Sequence, residues 1–203
     1  MEYILVIALS YLVGCSNMAK YIAAVKKVDL KAGGSGNLGA SNAVILMGWK
    51  AGVLTALHDI GKSALAVILA RMVFPDLPLI GAAAGVASVL GHIYPFWMKF
   101  KGGKGFASYL GMTIALHWKF AIAVLLLVVV VTLVTDYIVA ATTTTIIIVP
   151  IGLGVLTHSL LLPLILLVAS AVIAWKHKDN YVRMYNGTEI GFRKAGRGDY
   201  RVK

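Results

Sequence analysis

Cysteine occurs once in this chain, at Cys15, so no intramolecular disulfide can form, and neither a zinc ligand set nor an active thiol is suggested. Acidic residues are also scarce, with eight Asp and Glu against 19 Lys and Arg. Charged residues make up only 13% of the sequence, where soluble domains carry about 25%. That deficit excludes an ordinary water-soluble globule. Proline is limited to five residues, and no Pro/Ser linker, low-complexity stretch or internal repeat divides the 203 positions. The chain therefore reads as one domain, 1–203, with a basic tail over 190–203.

What is present is apolar: 60% of the residues are hydrophobic and the mean hydropathy is +0.86, the composition of an integral membrane protein. The formal net charge of +11 sits in short segments between apolar runs. That is where cytoplasmic loops of membrane proteins collect Lys and Arg, so the charge reads as a topology signal and not as a nucleic-acid surface. Attraction to anionic lipid or substrate is compatible with it.

Residues 3–19 are apolar enough to span, follow Glu2 instead of a basic leader, and precede Lys20, Lys26, Lys27 and Lys31. The pattern predicts a first helix with its N-terminus outside, not a cleaved signal peptide. Residues 20–50, with five Lys and one Asp, then form a cytoplasmic loop. Further spans are expected over 51–74 and 79–94, joined by an outer turn at Pro75 and Pro78, with 95–105 as a second basic loop. Residues 106–116, at 1.5 Å per residue, fall short of a hydrocarbon core of about 30 Å. Residues 121–134 and 137–149 are read as two short spans turning at Asp136, because one long span would bury that carboxylate. A last helix over 156–175 leads into a cytoplasmic tail. The expectation is an all-α polytopic bundle of seven transmembrane helices, five being the fallback count, with the C-terminus cytoplasmic.

Three polar constellations interrupt the apolar runs. The first is the decapeptide GGSGNLGASN, residues 33–42, in which Gly34, Ser35, Gly36, Asn37, Ser41 and Asn42 offer positive-φ backbone and small donors that can wrap an anion. Gly34, Gly36 and Gly39, with Asp59 20 residues on, imitate a dinucleotide fingerprint. No buried strand precedes them and a membrane span follows, so no nucleotide cofactor is expected. The second is KFKGGKG, residues 99–105, where Lys101, Gly102, Gly103 and Lys104 precede a short helix. Gly105 stands where a phosphate-binding NTPase loop needs Ser or Thr for magnesium, so the segment is read as a plain anion site with Lys104 best placed to neutralise a phosphate. The third is His177 with Asn180, three apart and so on one helix face, followed by Arg183, Asn186, Gly187, Thr188 and Glu189. His177 is the general-base candidate. Within the second span, Asp59 and Lys62 read as a self-neutralised pair beside His58, with a proton relay as the alternative. His92 can reach the same cavity as the second loop, and His117 and His158 fall at outer helix ends.

Taken together, residues 33–42, Gly91-His92 with Pro95 and residues 100–105, and His177-Lys178-Asp179-Asn180 with residues 186–189 resemble the bacterial acyl-phosphate-dependent glycerol-3-phosphate acyltransferases of PlsY type. The resemblance implies a seven-helix, multi-pass protein of the bacterial inner membrane with its active site on the cytoplasmic face. It implies transfer of a fatty acyl group from acyl phosphate to the 1-hydroxyl of glycerol 3-phosphate, giving lysophosphatidic acid and inorganic phosphate. His177, Asn180, Ser35 and Lys104 would be catalytic. Gly34, Gly36, Asn37, Ser41, Asn42, His92, Lys101, Gly102, Gly103 and Glu189 would bind substrate or phosphate. No metal or cofactor is implied, no nucleic-acid partner, and membrane lipid is the expected surrounding of a monomer. Ile45 stands where the family usually has Arg, and Lys50 and Lys101 are the cations considered as replacements; Ser41 replaces Thr and Ser63 replaces Gly. There is no H-x₄-D pair of the CoA-dependent glycerolipid acyltransferases, and Ser35 has no evident His and acid beside it, so no acyl-enzyme is expected. A transporter of a phosphorylated solute would use the same loops, but the duplicated halves that would favour it are absent. A catalytically altered relative is the remaining alternative, motivated by Ile45.

Overall fold

The first apolar run does not stay one straight helix. In the computed structural model, which describes residues 1–197, α1 (Glu2–Gly14) stops at Cys15 and α2 (Met18–Lys26) restarts after Asn17, whose side-chain oxygen accepts from the Lys20 N–H at 2.8 Å. The buried Asn17 also donates from Nδ2 to Leu38 O at 3.1 Å. The break thus ties the first membrane segment to the glycine-rich decapeptide.

Residues 20–50 were expected as loop, yet they hold most of α2 and also α3 (Ala40–Met47). The reason is burial. Leu38, Ala43 and Met47 pack with Leu30 and Met98 into a small core under the decapeptide, and an apolar stretch so placed satisfies its backbone best as helix. α4 (Trp49–Val73) and α5 (Ile80–Ile93) follow, then a 3₁₀ turn (Phe96–Met98), α6 (Phe106–Leu116), α7 (Trp118–Thr135) and α8 (Ile138–Thr157). α9 (Leu161–Lys176), α10 (Lys178–Tyr185) and α11 (Phe192–Arg197) complete the described chain.

The reading of residues 137–149 as a span ended by Pro150, and of a last helix beginning at 156, is corrected here. α8 runs through Pro150 to Thr157, and α9 begins only at Leu161. Proline breaks helices in water, but a membrane helix has no solvent to compensate an unwound backbone, so it continues. Asp136 does form a turn, with φ 65°, between α7 and α8. Its Oδ1 accepts from the Arg193 N–H at 2.8 Å and its carbonyl from the Phe192 N–H at 2.6 Å, which fastens the tail to this end of the bundle. Part of the basic tail, 198–203, lies outside the described residues.

Among the described residues, five segments are long and apolar enough to cross a membrane, or six if α9 and α10, bent by 50°, count as one. α6, with 11 residues, is apolar but shorter. Large apolar side chains such as Leu126, Val129 and Leu133 on α7 face outward, as in a protein solvated by lipid. The fold is that of an all-helical, multi-pass integral membrane protein.

Packing relies on small residues that let backbones approach. α1 lies on α5 and α4 on α6, and a Cβ added at Gly111 of α6 would sit 2.0 Å from Ile60 O of α4. Backbone cannot yield as a flexible side chain can, so Gly111→Val is expected to destabilise the bundle by about 1–3 kcal/mol. A lowered thermal midpoint of the detergent-solubilised protein checks this.

Candidate active site

All three polar constellations meet at one end of the bundle, around a cavity of about 220 Å³. Ser35, Asn37, Ser41, His92, Lys104, His177, Asn180 and Glu189, all singled out from sequence, line it. Gly34, Gly36, Asn42, Lys101, Gly102 and Gly103 do not, and for most of them the structure shows what they do instead.

The decapeptide curls around its own last residue. Asn42 is fully buried, its Oδ1 accepts the Ser35 N–H at 2.8 Å, and its Nδ2 donates to Leu30 O at 2.8 Å. Gly34 and Gly36 take φ of 60° and 66°, the left-handed region in which glycine is unstrained, so the chain can turn at these points. Asn42 therefore shapes the loop from behind while Ser35, Asn37 and Ser41 face the cavity.

The second loop is pinned to the end of α5. Gly102 N–H donates to Ile93 O at 3.0 Å and Gly103 N–H to His92 O at 3.2 Å. This folds Lys104 back toward the cavity, while the Lys101 side chain stays exposed. Burial, followed by the Arg183 guanidinium, lowers the Lys104 pKa below the ordinary lysine value; Glu189 and Asp179 oppose the shift.

The third constellation spans the bend between α9 and α10. His177 Nδ1 lies 2.8 Å from Ile173 O, and a carbonyl can only accept, so Nδ1 carries hydrogen. In the neutral ring Nε2 is then a free acceptor. Asn180 and Arg183 continue the same face of α10. Lys104 Nζ donates to Asn180 Oδ1, Asn180 Nδ2 donates to Glu189 Oε1 at 2.5 Å, and Arg183 Nε donates to Glu189 Oε2 at 2.7 Å. A Lys–Asn–Glu–Arg chain thus joins the second loop to the third.

Arg183 lines the cavity although it was not among the candidate ligands; its spacing of three from Asn180 was the available signal. Ile45 lines it as well, whereas Lys50 and Lys101, considered as replacements for the charge usual at 45, are exposed and lie outside the lining. The second cation of the cavity is Arg183. Apolar residues including Trp49, Phe106, Ile138 and Phe192 complete the wall. Polar, cationic and apolar groups therefore share one space.

A family profile described as Glycerol-3-phosphate acyltransferase matches residues 4–187. The chain belongs to the glycerol-3-phosphate acyltransferase family. Over 194 residues it is 35% identical to the glycerol-3-phosphate acyltransferase of Prochlorococcus marinus (strain MIT 9301), covering 92% of this chain and 95% of that protein. The relative of that name from Myxococcus xanthus (strain DK1622) is 48% identical over 92 residues, or 45% of this chain and 48% of the relative. Among solved structures, the glycerol 3-phosphate form of PlsY (YgiH), an integral membrane glycerol 3-phosphate acyltransferase, superposes with a TM-score of 0.91 at 31% identity, covering 98% of this chain and 100% of the other. The lysophosphatidic acid form gives 0.86 at 31% identity, covering 96% and 98%.

Proposed function

We propose that this protein transfers a fatty acyl group from acyl phosphate to the 1-hydroxyl of glycerol 3-phosphate, releasing lysophosphatidic acid and inorganic phosphate. One observation carries the reading: a single cavity brings together two glycine-rich anion loops, the cations Lys104 and Arg183, and the unengaged Nε2 of His177. Both substrates are phosphate esters or anhydrides, and both kinds of anion ligand are present in that space.

Acyl phosphate is a mixed anhydride, so its carbonyl needs no further activation and the enzyme's task is chiefly positioning and charge compensation. In this mechanism the donors of Ser35, Asn37 and Ser41 hold one phosphate and Lys104 compensates its charge. Asn180 and His177 orient the glycerol hydroxyls. His177 Nε2 accepts the proton of the 1-hydroxyl as its oxygen attacks the carbonyl carbon. The tetrahedral intermediate collapses by breaking the carbon–oxygen bond to phosphate, which leaves with the electron pair and takes the proton from His177. The acyl chain lies along the apolar flank of the cavity.

The topology that fits this chemistry has seven spans, with α6 and the α9–α10 pair added to the five long segments. The N-terminus is then outside, and the basic segments and the active site face the cytoplasm of a bacterial inner membrane. The protein acts as a monomer in lipid.

The test is purified protein in lipid nanodiscs, given glycerol 3-phosphate with either acyl phosphate or acyl-CoA. Lysophosphatidic acid and stoichiometric phosphate are expected from acyl phosphate alone. Product from acyl-CoA alone overturns the donor, and no product from either overturns the reading, leaving uptake of glycerol 3-phosphate by proteoliposomes as the competing activity to measure.

A further inference from the structure

The mechanism above gives no task to the buried charges behind His92. Asp59 and Lys62 of α4 are three residues apart and buried. Lys62 Nζ lies 2.8 Å from Asp59 Oδ1, 2.6 Å from Ser16 O and 2.9 Å from His92 Nδ1. An ammonium has three N–H donors and no lone pair, so these contacts use all of its valences. On the far side His58 closes the cluster, with Nε2 2.9 Å from Ser16 Oγ and Nδ1 3.4 Å from Asp59 Oδ1.

Two contacts compete for His92 Nδ1. Asp59 Oδ1 stands 3.3 Å away and would require a proton on Nδ1, whereas Lys62 Nζ at 2.9 Å requires a lone pair there. One nitrogen cannot do both. The Lys62 contact is the shorter, and a protonated Nδ1 would point N–H at N–H across it. Asp59 is already compensated by Lys62, so it does not need the imidazole proton. The neutral ring then carries its hydrogen on Nε2. That atom lies against the second loop, since a Cβ at Gly103 would come within 2.1 Å of it, and His92 lines the cavity.

We propose that Lys62 is a positioning residue that locks His92 in the Nε2–H tautomer, so that the imidazole offers a hydrogen-bond donor, not a lone pair, at the Gly103–Lys104 bend. A phosphate accepts from an N–H and is repelled by a lone pair. The Asp59–Lys62 pair has no net charge, so it sets the tautomer without adding a second unbalanced cation to the buried site. The role as a phosphate donor rests on the acyltransfer reading; the tautomer does not.

The test separates these two. In protein labelled with ¹⁵N-histidine, the nitrogen resonances of His92 are expected to show an unprotonated Nδ1 and a protonated Nε2. Lys62→Met moves the proton to Nδ1, which then donates to Asp59. In the acyltransfer assay Lys62→Met lowers kcat/KM by about 10- to 100-fold, mostly through KM for a phosphate-bearing substrate. Lys62→Arg, which keeps donors and charge, restores most of it. A His92→Gln variant supplies an amide N–H with no tautomer to set, so adding Lys62→Met to it has little further effect on KM. Should Lys62→Met fail to fold because Asp59 is left unpaired, the Asp59→Asn/Lys62→Met double variant removes both charges; its amide can either accept from or donate to Nδ1, so the single Nε2–H form is expected to give way to a mixture of the two tautomers. A wild-type His92 protonated at Nδ1, or a Lys62→Met effect on KM equally large with and without His92, overturns the proposal. If acyltransfer is absent while the tautomer shift occurs, it is the functional reading that fails.

Discussion

Replacing Lys104 with alanine is expected to lower kcat/KM for lysophosphatidic acid formation by about 10²- to 10³-fold, the loss typical of a charge-stabilising donor in a water-excluded site. The side chain is the cation that the glycine loop folds back to the cavity, and it sits at one end of the Lys–Asn–Glu–Arg chain. Removing it also strands the Asn180 carbonyl oxygen, so folding controls on the variant are part of the measurement. The pH profile gives a sharper check. In the proposed mechanism charged Lys104 holds phosphate, and its pKa is lowered by burial and then by Arg183, so rising pH removes the charge earlier than for an ordinary lysine. The alkaline limb of kcat/KM is therefore expected below the usual lysine range, and Lys104→Arg should move it upward. Stability runs the other way. The unfolded chain binds more protons at this position than the folded one between the two pKa values, so the contribution of Lys104 to stability rises with pH across the window in which activity falls.

His177→Ala is expected to reduce kcat by about 10²- to 10⁴-fold, the usual span for a positioned general base. KM for acyl phosphate should change little, since His177 is assigned to the acceptor hydroxyl. The wild-type acidic limb, where the imidazole has no lone pair to offer, should vanish in the variant. If kcat is unchanged in folded His177→Ala, a substrate phosphate oxygen takes the proton and His177 has no catalytic part.

Much of the fold was legible because apolar runs are long and their interruptions are polar. The short helix at 106–116 was read with the bounds it has, and the turn at Asp136 followed from the cost of burying a carboxylate. The misreadings have different causes. Pro150 would stop a helix in water but not in a bilayer, residues 20–50 became helical through burial, and the first run breaks between Gly14 and Asn17 although it is apolar enough to span. Asn17 acts through Leu38, 21 residues away, a contact that no local pattern displays.

For the site, residue types at short spacing marked the three constellations, and the structure places Ser35, Lys104, His177 and Asn180 around one cavity. The expected topology put all three on one membrane face, but their convergence on one cavity depends on tertiary packing and came only with the resemblance. Arg183 was named with the third constellation but given no role, because no local pattern shows that Glu189 holds it inward at 2.7 Å. Asn42 and Gly103 look like ligands in a list of donors and small residues. Buried behind the loops, they set the shape of what binds.

The attachment of Phe192 and Arg193 to the turn at Asp136 bears on how the protein is made. Cavity residues run from Ser35 to Phe192, so they are drawn from both ends of the bundle's chain order. A nascent chain that has delivered α1 to α8 to the bilayer already has both glycine loops, yet it lacks His177, Asn180, Arg183 and Glu189. On the proposed mechanism, catalysis begins only after the final helices have been inserted and the tail has folded back, so a chain ended after α8 is expected to form no lysophosphatidic acid from acyl phosphate.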